Sequence, residues 1–266
     1  MGAANPTTVD PSGQTLPIGD LAGWHQVFAD DFSTSVPIGG FSGCRQGTSL
    51  MTSQCSGLPS GVATKWWAYP DNWPDTTHNG RYYPSQDLSI HNGTLDQYLH
   101  TSNGIHMVSA AVPKIPGGVN NGGLRYGAYA VRFQADLVHG YKTAWLLWPD
   151  SEVWPQDGEI DYPEGDLDST FDGFMHHMGA TAGNQQDAYT TGAGYGNWHT
   201  AVIEWAPGMC RFILDGRIVG TSTQFVPSTP MHWVLQTETA TDGTVPSSTT
   251  TGHVRIDWVA AYAPVP

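Results

Sequence analysis

The chain has 266 residues, with 24 Asp plus Glu against 10 Lys plus Arg and a formal net charge of −14. So few cations cannot neutralise a phosphate backbone, which argues against nucleic acid as a partner and disfavours sulfated polymers and anionic membranes. Charged residues make up only 13%, whereas Gly (32), Pro (19), Trp (11) and Tyr (11) are abundant, a composition suited to short strands, tight turns and an aromatic surface for a neutral polymer.

From the N-terminus, Met1-Gly2-Ala3-Ala4-Asn5-Pro6 reads as the opening of a mature exported domain, and Pro6 stands where a myristoylation motif requires Ser or Thr. No run of 18 apolar residues is present, so no membrane helix is expected. Residues 1–19 read as an extended N-terminal segment of a single domain covering 1–266, since no composition break divides the chain. Cys44 and Cys55 flank a short Gly/Ser-rich loop; in an exported protein they pair, and otherwise they are two free thiols. Cys210 falls on the apolar face of a strand and reads as a buried thiol. Residues 35–62 and 239–252 read as loops.

Strand-like alternation recurs, and no window has convincing helical periodicity. Tyr129, Val131, Phe133, Ala135 and Leu137 share one face; so do Ala201, Ile203 and Trp205, and Cys210, Phe212 and Leu214. Asp215-Gly216 marks a two-residue hairpin turn into Arg217-Ile218-Val219. Near the end Val254, Ile256, Trp258, Ala260 and Tyr262 alternate with His253, Arg255 and Asp257. Many short strands with Gly and Pro punctuation indicate an all-β, two-sheet antiparallel sandwich.

The chemistry-bearing segment is Asp157-Gly158-Glu159-Ile160-Asp161-Tyr162-Pro163-Glu164-Gly165-Asp166. In a strand Glu159 and Asp161 share a face opposite Ile160 and Tyr162. Parity would send Glu164 into the core, which a carboxylate resists. Pro163 suggests a bulge, whose extra residue restores the alternation and turns all three acids to one exposed face. Catalysis competes here with a solvated acidic face or a calcium site.

Glu-Ile-Asp-Tyr-Pro-Glu resembles the bulged Glu-x-Asp-x-x-Glu signature of glycoside hydrolase family 16, in the form carried by laminarinases and related β-glucanases. Trp24–Phe32 resembles the family's opening strand, and Asn92-Gly93-Thr94-Leu95 its Asn-Gly-x-Leu turn. Tyr126–Arg132, Trp198-His199-Thr200, Glu204-Trp205 and Leu214-Asp215-Gly216 follow in family order. The resemblance implies a jelly-roll (concanavalin A-like) sandwich with a sugar-binding cleft across its concave sheet. It implies Glu159 as nucleophile, Glu164 as general acid/base and Asp161 as the residue that orients and tunes Glu159. Trp154 matches Trp-Pro-x-x-Gly-Glu and is expected to stack on sugar. Trp145 is a second candidate, although the family's Phe-Trp pair after Ala is replaced here by Trp145-Leu146. His177, within His177-Met178-Gly179, is the expected histidine partner of the acids. Arg81 falls where minus-subsite contacts occur, and Gln236 lies with Glu238 on one face of a late strand.

Asp31 and Asp257 fall where many relatives hold a structural Ca2+; no cofactor is expected for catalysis, and no histidine spacing suggests zinc. The expectation is a secreted, monomeric, retaining endo-acting hydrolase of β-1,3- or mixed-linkage glucan. The alternatives are a transglycosylase remodelling cell-wall glycan and a non-catalytic lectin on the same sandwich.

Overall fold

In the computed structural model, which describes residues 10–265, two large sheets stack face to face. The cleft sheet has seven antiparallel strands, in spatial order Gln186–Gly194, Thr170–His176, Glu159–Asp166, Tyr141–Pro149, Met231–Thr239, Ala110–Pro113 and Trp66–Ala68. The outer sheet is built around Gly252–Pro264, flanked by Gly127–Ala135 and Thr94–Ser102. All its pairs are antiparallel except Gly80–Tyr82 against Ile105–Val108. Among the described residues, helix is confined to short turns such as Ser60–Ala63 and Pro84–Asp87.

Aromatic side chains weld the sheets together. Phe133 of the outer sheet meets Trp145 of the cleft sheet edge to face at 5.2 Å, Tyr129 meets Trp233 at 5.5 Å, and Phe212 meets Tyr162 at 5.2 Å. Offset and T-shaped ring pairs of this kind each add about 0.5–1.5 kcal/mol beyond the area they bury. The expected inward sets Tyr129/Val131/Phe133/Ala135 and Ala201/Ile203/Trp205 are all buried. Leu137, by contrast, is exposed, because the strand ends at Ala135. Asp215 and Gly216 both adopt positive φ and join Met209–Leu214 to Arg217–Ser222 as the turn chemistry requires.

The final strand departs from simple alternation. Val254 and Ile256 face the main core, but a register shift at Asp257 hands that role to Val259 and Ala261. Trp258, Ala260 and Tyr262 consequently join a second cluster on the outer side of the sandwich, with Ala128, Ala130, Leu16 and Trp24. One inserted residue inverts every side chain beyond it. The N-terminal segment covers that second cluster: Trp258 Nε1 donates to the Gln14 carbonyl at 2.7 Å, and Gln26 Nε2 to the Pro17 carbonyl at 2.8 Å. Of the extended segment expected at 1–19, residues 1–9 lie outside the described residues.

Cys44 and Cys55 form a disulfide across the small ladder Cys44–Arg45/Gln54–Cys55, and Cys210 is a buried thiol. Apart from that ladder and single helical turns, residues 35–62 are irregular, as their composition suggests.

Candidate active site

The acids sit on the third strand of the cleft sheet. Glu159 pairs with His176 and Asp161 with Phe174, but the next matched pair is Glu164 with Asp172, so the register slips between Asp161 and Glu164. The same slip appears against the other neighbour, where Leu146 faces Asp161 and Ala144 faces Glu164. The irregularity contains the cis Tyr162-Pro163 peptide. Ile160 and Tyr162 are buried in the core, while Glu159 and Glu164 each line a cavity on the opposite face.

The two cavities adjoin through His176, which lines one and lies 3.9 Å from Glu159 of the other, and together they outline a groove. One, of about 520 Å3, holds Glu159 among Tyr69, Tyr82, Trp148, Trp154 and Gln236. The other, of about 420 Å3, holds Glu164 among Lys142, Asp166, Asp172, Phe174 and His176.

Around Glu159 the contacts are specific. Trp154 Nε1 donates to Glu159 Oε2 at 2.7 Å, and the indole, 41% exposed, lies nearly parallel to Trp148 with centroids 6.4 Å apart. His176 Nδ1 donates to the Gly183 carbonyl at 2.8 Å, leaving Nε2 to face the acids, 3.2 Å from Asp161 Oδ2 and 3.9 Å from Glu159 Oε2. Burial, followed by the charge of Asp161, pushes the Glu159 carboxyl well above the usual carboxylate range. Asp161 is raised as well, by burial first and then by Glu164.

Around Glu164 the decisive group is Lys142. Its ammonium is 2.5 Å from Glu164 Oε1, and the residue is only 6% exposed. Burial alone would pull that ammonium down, but the Glu164 charge and hydrogen bond outweigh it, so Lys142 stays cationic. Lys142 also lies in register between Asp166 and Glu238. Glu238 is buried and raised by burial, and it accepts from Thr76 N (3.2 Å), Thr76 Oγ1 and Tyr82 Oη (3.0 Å). Asp75, buried nearby, accepts from Thr239 N at 2.9 Å and Thr239 Oγ1 at 2.6 Å. These two carboxylates pin the aromatic segment 69–83 onto the cleft floor.

The remaining expected site residues divide. Gln236 lines the Glu159 half and accepts from Tyr82 Oη at 3.3 Å. Trp145 does not reach the groove: it is fully buried against Phe133, because the alternation that brings Lys142, Leu146 and Trp148 to the cleft sends Trp145 inward. Leu146 thus lines the groove beside Glu159. His177 is likewise not the acids' partner. It lies one residue past the strand end, bonds Asp187 Oδ1 at 3.0 Å and stacks on Phe225, while in-register pairing gives that place to His176. Arg81 is exposed and donates to the Asn72 carbonyl at 2.9 Å, bracing the aromatic segment without lining the groove. Lys142 was missed, although a lone lysine two residues before Ala144, on its face, was a readable signal.

Asp31 and Asp257 both line a cavity of about 250 Å3 on the outer sheet that Asp10 also lines. Asp257 Oδ2 already accepts from Ser12 N at 3.2 Å. Among the described residues, only Glu159, Asp161 and His176 bring three potential ligand atoms within 4.8 Å of one another. A metal there would have to compete with the Trp154 hydrogen bond for Glu159 Oε2.

A model of glycosyl hydrolases family 16 matches residues 87–260, which include the whole acid strand. The chain belongs to that family. As a glycosyl hydrolase of family 16 it is a glycoside hydrolase, with a polysaccharide as its class of substrate. Solved structures similar to it share its sandwich. The laminarinase from Rhodothermus marinus is 17% identical, with a TM-score of 0.68 over 91% of this chain and 98% of that one. LamAcat from Zobellia galactanivorans is 20% identical, with a TM-score of 0.62 over 90% and 97%. Rv0315 of Mycobacterium tuberculosis, described as an immunostimulatory antigen and pseudo β-1,3-glucanase, is 17% identical, with a TM-score of 0.64 over 90% and 99%. No curated protein matches the sequence.

Proposed function

We propose that this family 16 enzyme is a retaining, endo-acting hydrolase of a neutral β-linked glucan, with β-1,3- or mixed-linkage glucan as substrate. The observation that carries the reading is the register slip at Tyr162-Pro163, which turns Glu164 to the groove that Glu159 and Asp161 already face. Glu159 attacks the anomeric carbon while Glu164 protonates the departing glycosidic oxygen; the glycosyl ester formed on Glu159 is then hydrolysed by a water that Glu164 deprotonates. Lys142 occupies Oε1 of Glu164, so Oε2 is the oxygen free to meet the sugar. Asp161 keeps the Glu159 carboxyl high and, with His176, fixes its orientation. Trp154 holds the adjacent sugar and the Glu159 carboxylate at once.

The test is release of reducing ends from laminarin, with the anomer of the first product followed by proton NMR. The β-anomer should appear first, and Glu159→Gln should remove activity by about 10³-fold or more while the fold is kept. An α-anomer, or a Glu159→Gln enzyme as active as the parent, rejects the mechanism. Inactivity of the parent on every neutral glucan would favour a silent sugar-binding protein, the reading suggested by the similarity to a pseudo β-1,3-glucanase.

We further propose that the protein is secreted and monomeric, in keeping with its disulfide and the absence, among the described residues, of any helix long and apolar enough to cross a membrane. Asp31 and Asp257 are proposed to hold a structural Ca2+, for which carboxylate oxygens are the right donors. A melting temperature that falls on adding EGTA and recovers with Ca2+ is expected; an unchanged one rules the ion out.

A further inference from the structure

A third cavity, of about 500 Å3, opens beside the aromatic half of the groove. Glu152, an exposed side chain whose Oε2 accepts from Trp148 Nε1 at 2.9 Å, lines both spaces. The new cavity lies along the strands from the Glu159 side, with His232 and Pro230 at its floor where Gln236 floors the groove. A polymer crossing the strands through the groove would therefore pass this cavity on its flank.

Its walls are built. Asp150 joins two of them, accepting from Gly123 N at 2.7 Å and bonding His232 Nδ1 at 2.8 Å. Gly122 is required there: a Cβ would come within 2.2 Å of Asp150 Oδ2. The opposite rim, Gln46–Ser53, is closed by the Cys44–Cys55 disulfide and tied internally through Ser53 Oγ, which accepts from Gly47 N at 2.9 Å and donates to the Ser49 carbonyl at 3.0 Å. Such pre-organisation lowers the ordering cost of binding. The size falls within the roughly 300–1,000 Å3 of small-ligand sites.

The lining also states what would fit. Leu50, Trp67 and Val119 offer apolar surface for C–H faces, and Ser49, Asn120 and Ser151 offer hydroxyl and amide groups. No Lys or Arg is among the lining residues, Asp150 and Glu152 are acidic, and His232 is already paired with Asp150. Anionic groups are thereby disfavoured and neutral hydroxylated rings favoured. Residues 46–53 and 67 precede the span that matches the family model, so this wall is contributed by the chain's own N-terminal third.

We infer that this flanking cavity is a branch site, seating a neutral glycosyl side chain of a polysaccharide whose backbone lies in the groove. The inference rests on the glucan reading above and adds that the enzyme reads substitution as well as linkage. A backbone sugar stacked on Trp148 and Trp154 would direct its branch over Glu152 into the cavity, where the walls are already in place.

The experiment compares kcat/KM on an unbranched β-1,3-glucan with that on a β-1,3-glucan carrying single β-1,6-glucosyl branches. The parent is set beside Gln46→Trp and Thr48→Trp. Both positions are exposed on the rim and make no side-chain hydrogen bond in the structure, so a bulky ring there fills the cavity with melting temperature as the folding control. The ratio of branched to unbranched kcat/KM should fall about tenfold in both variants, and parent products should retain a branch at a fixed distance from the new reducing end. An unchanged ratio in two folded, active variants overturns the branch site and leaves the glucanase reading standing. A parent inactive on both polymers overturns the glucanase reading, and the branch site with it.

Discussion

The two halves of the groove solve different problems with different materials. On the Glu159 side the wall is aromatic, formed by Tyr69, Trp148 and Trp154, and the carboxylate is held by an indole N–H. On the Glu164 side the lining is polar and charged, and the carboxylate is held by a buried lysine. Aromatic faces bind sugar rings through their C–H patches without fixing any hydroxyl, which suits a half that must grip a polymer throughout the cycle. A polar, ion-paired half offers no stacking face, which suits the side that, in the proposed mechanism, must release a leaving group and admit water. Under the proposed mechanism the difference assigns affinity and turnover to different halves of one groove.

The largest effect that would sharpen this contrast comes from paired truncations. Glu164→Ala should lower kcat by about 10²–10⁴-fold with little change in KM, the usual range for loss of a general acid/base. Trp154→Ala should act mainly on KM, lowering kcat/KM by roughly tenfold to a hundredfold, since it removes both stacking and the donor to Glu159. Steady-state kinetics on a soluble glucan check both. If Trp154→Ala leaves KM untouched, the aromatic half is not the gripping half.

A smaller effect concerns pH. Glu159 must be ionised to attack, and its carboxyl is raised by burial and by Asp161. The acid limb of kcat/KM should therefore lie above the ordinary carboxylate range. Asp161→Asn removes the charge that opposes ionisation, so the limb should move to lower pH while the rate at the plateau also falls. A limb that stays in place would mean burial alone sets it.

The smallest effect expected is on stability. Lys142→Met strands Glu164 and Glu238 without their shared cation. Removing one partner of a buried pair is costly, but Glu164 keeps 21% side-chain exposure, so a loss of only a few degrees in Tm is expected. Glu238, whose folded carboxyl is raised, destabilises the fold as pH rises through its folded value. The Tm deficit of Lys142→Met should accordingly be present at neutral pH and shrink toward pH 4. Lys142→Arg should recover part of it. An equal deficit at both pH values would assign Lys142 to packing rather than charge.

Much of this was legible from residue order. Strand alternation gave the buried faces at Tyr129–Ala135 and Ala201–Trp205, and the conflict between parity and a buried carboxylate at Glu164 pointed to the irregularity at Pro163. What escaped was whatever depends on a partner strand. Trp145 was placed in the groove by likeness to the family's pattern, although counting from Ala144 along the strand sends it inward. His176 and His177 are indistinguishable until the register against Glu159 is known. The inversion at Asp257 carries no proline to announce it, and the second cluster it creates exists only because residues 10–21 lie over it. Lys142 needed three strands at once: its own, the acid strand and Met231–Thr239.

The staples formed by Asp75 and Glu238 carry one more consequence. Part of the aromatic wall, Tyr69 with Tyr82, reaches the groove on a length of chain that precedes the family-matched span, and a handful of hydrogen bonds from Thr76, Tyr82 and Thr239 fasten it there. Glu159, Asp161 and Glu164 belong to a different, sheet-embedded stretch. This part of recognition is thus a detachable cassette: exchanging residues 69–83 while keeping Asp75, Thr76 and Tyr82 as its anchors is expected to change which glycan is gripped and to leave the acid strand intact.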